Sequence, residues 1–288
     1  MTRARSRAIN GFDIVLQRPR SIARNKIIEV VERDSPLIVS IPHSGTWIPQ
    51  EALSHIEHSR LLQLDTDLFT HLVYAGVAEL GSSVRTNVNP YVVNVNRGWT
   101  KPELPIIPTH LMSGQATLLR PYTQAQRTRL LSTYYNSYHA QLIRLQQRAL
   151  RRFGFCLHLD GHGMNRSGVS HTKDPGEQRN DMAVGDDNGK SADEAIVSAI
   201  ELYLVKAGYH AVRNKPYSGG HTTRVYGNPA KRLHVVQIEL VKQLYMDQMA
   251  TPFEASKKPH LKKQALARLQ KALREALAAG LRAAAVAR

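Results

Sequence analysis

Two histidines, an aspartate pair and a late glutamate hold the reactive side chains of this 288-residue chain. His43 stands in Pro42-His43-Ser44-Gly45-Thr46, directly after the apolar run Leu37–Ile41. His162 stands in Asp160-Gly161-His162-Gly163, just past a second apolar run that begins at Phe155. Between them lies Asp65-Thr66-Asp67. Neutral imidazoles and carboxylates are the ligands of an open, catalytic zinc site, which keeps one position for water. There is no His-Glu-x-x-His motif and no cysteine pair, so the expectation rests on two strand-end histidines coinciding with Asp-x-Asp. Each histidine has glycine close by, which would let a metal or substrate approach the backbone.

Glu239 closes the run Val235-Val236-Gln237-Ile238-Glu239. A carboxylate there either caps a following helix or faces a cleft as a general base. Arg97 and Arg224 each occupy a turn with glycine and aromatic neighbours after a strand. A guanidinium fork grips carboxylates through two parallel bonds, so both suit an anionic substrate. The plainer alternative is two surface arginines.

These side chains need a frame. Leu37–Ile41 reads as a short buried strand ended by Pro42, which sets His43 at a strand's carboxyl end, where open α/β sheets collect their chemistry. Phe12–Gln17, Ser83–Thr86, Tyr91–Asn96, Phe155–Leu159, Tyr209–Arg213 and Leu233–Leu240 read as further strands. Leu68, Leu72 and Ala75 predict a helix from about Leu61 to Gly81. Thr123 with Gln126 forms a capping box ahead of an apolar face of Leu130, Tyr134, Tyr138, Leu142 and Leu145, with Gly154 as the stop. Ser191 with Glu194 predicts the start of a helix to Lys206. Residues 101–121 read as a long loop, and Gly163–Gly189 as a mobile loop beside the site. The alternation predicts an α/β fold: one domain, a mixed sheet, helices on both faces.

The formal charge is +16, but residues 1–26 carry +6 and residues 256–288 carry +8, leaving +2 for everything between. This divides the chain into a basic N-terminal segment (1–11), a nearly neutral domain (12–255) and a basic amphipathic C-terminal helix (256–288). Such ends can hold polyanions non-specifically, and no dedicated nucleic-acid partner is expected. The Leu261, Leu266, Leu269, Leu273, Leu277 and Leu281 stripe packs on the domain or meets a membrane surface or partner. Cys156 is the only cysteine, a core thiol with no disulfide partner, which fits a reducing compartment. No window approaches the ~18 apolar residues of a membrane span, and no signal peptide is read at the N-terminus. The cytoplasm is the expected location.

The blocks Pro-His-Ser-Gly-Thr, Asp-Thr-Asp, Tyr-Val-Val-Asn-Val-Asn-Arg, Asp-x-His, Gly-Gly-x-x-Thr-Arg-x-Tyr-Gly and Gln-Ile-Glu-Leu occur in that order. Together they resemble the N-formylglutamate amidohydrolase (deformylase) family over roughly residues 12–250. The resemblance implies a zinc-carboxypeptidase-like hydrolase architecture and metal-dependent cleavage of a formyl amide at the end of a histidine-degradation route. It matches His43 and His162 to the motif histidines, Asp65 or Asp67 to the acidic pair, Asn96 and Arg97 to the Asn-Arg motif, Arg224 and Tyr226 to the Thr-Arg-x-Tyr block, and Glu239 to the late glutamate. The second histidine block departs from the family's Asp-Cys-His-Ser, and the loop with His171 and Asp186-Asp187 is not matched to the family's pattern. Both differences fall on the substrate side.

The reading is thus a metal-dependent amidohydrolase acting on a small anionic N-acyl amino acid. Zn2+ or another divalent metal is expected on His43, Asp65 or Asp67, and His162. Glu239 would move the proton, Asn96, Arg97, Arg224 and Tyr226 would bind substrate, and Asp160 would orient a ligand imidazole from behind. The alternative is a non-catalytic α/β binding protein that grips nucleic acid or anionic membrane with its basic ends. A purely structural core would have no need to keep every metal-type side chain.

Overall fold

Apolar residues recurring at every second position build a single sheet. The computed structural model describes residues 27–56, 66–99, 104–112, 114–170, 172–247 and 260–287. Among them run β1 (Ile28–Val31), β2 (Leu37–Ile41), β3 (Ser82–Thr86), β4 (Cys156–Met164), β5 (Met182–Gly185), β6 (Ala211–Arg213) and β7 (Leu233–Val241). Their order is β1-β3-β2-β4-β7-β5-β6. The central β3-β2-β4-β7 block is parallel, whereas β1 joins β3 and β5 joins β7 antiparallel. The sheet is mixed, as expected.

Its two faces differ in chemistry. Successive strand residues point to opposite sides, so β4 sends Leu157 and Leu159 one way and His158, Asp160 and His162 the other. The register sets Ser40 beside Asp160, Asp160 beside Gln237 and His162 beside Glu239. One face therefore carries a polar column across three strands, capped where Ile38, Val84 and Cys156 meet an apolar cluster with α1 (Gln124–Leu130) and α2 (Ser137–Phe153). The Thr123–Gln126 capping box is present, and Gly154 ends α2 in the left-handed region at φ 76°. Between α1 and α2 the chain makes a π-helical stretch, Leu131–Asn136.

The opposite face is largely apolar over its central strands. Leu37, Val39, Leu157, Leu159, Val236 and Ile238 pack there with α3 (Glu194–Lys206) and the C-terminal helix Lys263–Val286. Leu269, Leu273 and Leu277 are buried in that cluster, each stabilising the fold by about 1.5–3 kcal/mol. The leucine stripe is covered by the domain, not by a membrane. No helix among the described residues is long and apolar enough to cross one. Cys156 is a buried free thiol, its pKa pushed up by burial.

Several expectations change. Tyr91–Asn96 is a buried irregular segment instead of a strand. Asn89 Oδ1 accepts from Tyr91 N and Asn94 Oδ1 from Asn96 N, local bonds that displace a strand ladder. The loop expected over Gly163–Gly189 contains β5, whose four residues are all buried. The helix expected from Leu61 appears as two short turns, Thr70–Val73 and Ala75–Ala78, with Phe69 at φ 63°. Asp193, not Ser191, caps α3 by accepting from Ala195 N; Ser191 Oγ instead donates to Val235 O. The strand expected over Phe12–Gln17 lies outside the described residues, as do Asp65 and His171.

Candidate active site

The carboxyl ends of the parallel strands bring the cluster together. His43 follows β2 after Pro42, and its carbonyl accepts from Asp67 N at 3.1 Å, which ties the Asp67 turn to it. His162 lies inside β4, not past its end, because the strand continues through Gly161 and Gly163 to Met164. Those glycines are set by packing. A Cβ on Gly161 would meet the Tyr74 ring at 2.7 Å, and one on Gly163 would meet the Tyr245 hydroxyl at 2.9 Å. Gly45 similarly lies against the Val88 carbonyl. Packing alone is reason enough for these glycines.

The side chains converge on Asp67 Oδ2, which lies 3.6 Å from His43 Nδ1 and 3.3 Å from His162 Nδ1. Donor atoms of these three residues all fall within 4.8 Å of one another. The far nitrogens are held from behind. His43 Nε2 lies 2.8 Å from Asn94 Oδ1, and His162 Nε2 lies 3.1 Å from Asp160 Oδ2. Each acceptor asks for a ring proton on Nε2, so a neutral ring turns its Nδ1 lone pair toward Asp67, and a ring bonds to Asp67 from Nδ1 only when it carries a second proton. Asn96 completes the arrangement. Its Nδ2 donates to the same Asp160 Oδ2 at 3.1 Å, which sets it 2.8 Å from His162 Nε2 as a second donor on one acceptor, while its Oδ1 accepts from Thr222 N.

The cluster draws positive charge. Burial would raise the Asp67 pKa, but hydrogen bonds from His162 and His43 hold it below the usual carboxylate range. Burial likewise opposes ionisation of Asp160, yet His162, His158 and Ser40 keep its pKa low. Burial disfavours a charged His162, but Asp160, Glu239 and Asp67 outweigh it and lift its pKa well above normal. Two carboxylates flanking paired imidazoles, all but His43 nearly sealed from water, form a donor set that fits a divalent cation. His43, with an 18 % exposed side chain, faces the opening.

That opening is a cleft of about 360 Å³, within the usual size of small-molecule sites. Glu239 lines it beside His162 and accepts from Gln237 Nε2 at 3.0 Å. Burial pushes its carboxyl up to about 7, with Asp67 and Asp160 adding to the rise and His162 opposing it. Arg97 and Arg224 both line the cleft. Arg97 reaches Pro105 O and Met112 Sδ, and Arg224 Nε lies 3.4 Å from Asp187 Oδ1. Tyr226 does not join them. It turns away from the cleft, 2.6 Å from His139 Nδ1. Asp160 sits behind His162, fully buried.

Other cleft residues escaped sequence reasoning. Asn94 was hidden in an apparent strand. Arg179 makes paired 2.7 Å bonds to Asp174 and lies under the Tyr217 ring at 5.1 Å. His221 opens α4 (His221–Tyr226) and contacts Tyr135 Oη at 3.1 Å. Gln237 carried a legible signal, since it stands two residues before Glu239 on the same strand face.

The chain is similar to known proteins over most of its length. Residues 35–246 match the family model described as N-formylglutamate amidohydrolase. The chain is 33 % identical to an N-formylglutamate deformylase of Pseudomonas aeruginosa over 230 residues, 76 % of this chain and 84 % of the relative. It is 30 % identical to one of Pseudomonas putida, covering 78 % and 86 %. Its fold is similar to the crystal structure of N-formylglutamate amidohydrolase from Ralstonia eutropha, with a TM-score of 0.76 at 24 % identity over 88 % of this chain and 97 % of that one. A gene product of Agrobacterium tumefaciens shares the fold with a TM-score of 0.71 at 18 % identity, over 92 % and 98 %.

Proposed function

The chain belongs to the N-formylglutamate amidohydrolase family, and from that premise we propose that it is a metal-dependent amidohydrolase releasing formate from an N-formylated acidic amino acid such as N-formylglutamate. The observation that carries this reading is the His43–Asp67–His162 cluster opening onto a cleft beside Glu239. A divalent cation held by those three residues, zinc on this reading, would supply Lewis-acid polarisation of the amide carbonyl and a nucleophile at neutral pH.

The chain's own groups do the rest. Glu239, with a pKa near 7, is matched to take a proton from the attacking water and hand it to the leaving nitrogen. Asn94 and Asp160 hold the two imidazoles in one tautomer and orientation. Arg97 and Arg224 bind the carboxylates of the substrate, and Asn96, which lines the cleft, faces the substrate while its amide bonds Asp160. Zinc-carboxypeptidase-like architecture and a place in histidine degradation belong to the same reading. The first is supported by metal-type ligands at the ends of central parallel strands, the second by family membership.

The test is direct. Purified protein loaded with zinc is given N-formyl-L-glutamate and formate release is followed, with and without a chelator. We expect chelator-sensitive release of formate and glutamate in equal amounts. Stoichiometric zinc with no release from any N-formyl amino acid would overturn the proposal.

A further inference from the structure

The polar column continues away from the cleft into the core as a chain of hydrogen bonds whose direction is fixed from one end. Asp160, as a carboxylate, can only accept. Ser40 Oγ at 2.5 Å must therefore place its proton on the bond to Asp160 Oδ1. His158 Nε2, at 2.8 Å from Ser40 Oγ, must then be the donor in that contact. A neutral ring with its proton on Nε2 accepts at Nδ1, and there Gln146 of α2 presents Nε2 at 3.0 Å. The other oxygen of Asp160 takes Asn96 Nδ2 and His162 Nε2.

Nothing along this chain reaches water. Ser40, His158 and Asp160 are 0 % exposed and Gln146 is 3 % exposed. An amide at the far end can neither gain nor lose a proton near neutrality, so the chain cannot conduct protons to solvent. What it can do is hold orientation. A buried histidine and serine with every bond committed in one direction leave Asp160 a single arrangement in which it accepts from His162.

We propose that Ser40, His158 and Gln146 are positioning residues for the cation site: they lock Asp160 as an acceptor, which keeps the His162 proton on Nε2 and turns its Nδ1 lone pair toward Asp67. The inference rests on the metal reading above and extends it to three residues that touch neither cation nor substrate. It also explains why α2, a helix on the face of the sheet, sends a glutamine inward among Tyr138, Leu142 and Leu145.

The experiment measures zinc affinity by competition with a chromophoric chelator, alongside the melting temperature of the metal-free protein. The variants are Ser40→Ala, His158→Leu, their combination, and His158→Gln, whose amide can still donate to Ser40 and accept from Gln146. Loss of an outer partner of a metal ligand costs 10- to 100-fold in affinity; Ser40 and His158 act one contact further back, through Asp160, so Ser40→Ala and His158→Leu should each weaken zinc binding by about the lower figure, roughly tenfold. The double variant should be no worse than the weaker single one, because either change cuts the same chain. His158→Gln should return affinity to within about threefold of wild type. Wild-type affinity in Ser40→Ala and His158→Leu, losses that multiply in the double variant, or no recovery in His158→Gln would each overturn the proposal. A wild type that holds no zinc would instead overturn the metal reading on which it stands. Ser40→Ala removes a single oxygen, so it remains informative should His158→Leu fail to fold.

Discussion

At the scale of single residues, the proposed mechanism rests on Glu239. Its carboxyl is pushed up to about 7 by burial, and only the ionised form can accept a proton. Activity must therefore fall as pH drops through that pKa, and a cation bound opposite would move the fall lower still. We expect kcat/KM to show an acid limb of unit slope at or below about pH 7. Glu239→Gln should lose about 100- to 10,000-fold, lose the limb, and retain its metal. An unchanged limb in that variant would assign the titration to another group. Arg97 makes a different prediction. A charge-assisted bond contributes about 1.5–3 kcal/mol, so replacing the substrate carboxylate by its amide should cost about 10- to 150-fold in kcat/KM, at 1.4 kcal/mol per decade. Arg97→Ala should erase most of that preference and barely affect the amide. Equal losses on both substrates would make Arg97 a fold residue. His43, Asp67, His162 and Glu239 were legible because reactive side chains at the ends of apolar runs stand out. Tyr226 misled because Thr-Arg-x-Tyr is a helix here. Residues two apart on a helix point to different sides, so Arg224 faces the cleft while Tyr226 meets His139.

Among the elements, the π-helical turn Leu131–Asn136 is one that no periodicity announced. The apolar spacing of Leu130, Tyr134, Tyr138 and Leu142 fits an ordinary α-helix through this region, and backbone bonds of longer reach leave no mark in side-chain pattern. Its effect is local and specific. Tyr134 is sent to Glu51, and Tyr135 donates to Arg97 O at 2.8 Å while meeting His221 Nε2. Stretches of this kind recur at functional sites, and this one pins the Arg97 segment to the start of α4. Tyr135→Phe should therefore raise KM for the acidic substrate severalfold, with zinc affinity unchanged, since no metal-type ligand touches Tyr135. A net loss near 1 kcal/mol for one hydrogen bond sets the scale at about fivefold. Reduced zinc affinity in this variant would place the turn's influence on the cluster itself. The Tyr91–Asn96 segment shows the converse failure of pattern. Its Val-rich composition is that of a strand, but its asparagines bond to neighbouring backbone and to the histidines, so tertiary contacts overrode β-propensity.

For the molecule as a whole, the alternation of runs revealed the mixed sheet, and the leucine stripe revealed a helix with one buried face. The polar column inside the sheet was harder to see, because Cys156–Leu159 looks apolar until His158 is counted with Asp160 and His162 on one side. Its burial has a consequence for stability. His158 and His139 are buried, and desolvation lowers the pKa of each to about 4. The half-buried His71 is shifted the same way, to about 4. Unfolded, each would titrate near 6.5. Above pH 6.5 both states are neutral and these residues add no pH dependence. Between 6.5 and 4 the unfolded chain takes up protons that the folded chain refuses, so stability present above 6.5 is lost as pH falls. Below 4 the folded form protonates too and the loss levels off. In metal-free protein His162 acts in the opposite sense, its raised pKa contributing stability that is lost only as pH rises through it. Two deeply buried histidines at up to about 1.4 kcal/mol per pH unit each imply a loss from these two residues on the order of 2–4 kcal/mol from pH 7 to 5, which Glu239 partly offsets, because its raised pKa lets the folded form take up a proton first over the same range. That is a large share of the ~5–15 kcal/mol that holds a typical domain together. Urea unfolding at pH 7.5, 6.5, 5.5 and 5.0 measures it, and His139→Gln, which lacks the titrating ring, should flatten the slope by roughly half of the two-histidine share. An identical pH dependence in His139→Gln and the wild type would show that the buried ring accepts a proton in place, and that its surroundings are wetter than its burial implies.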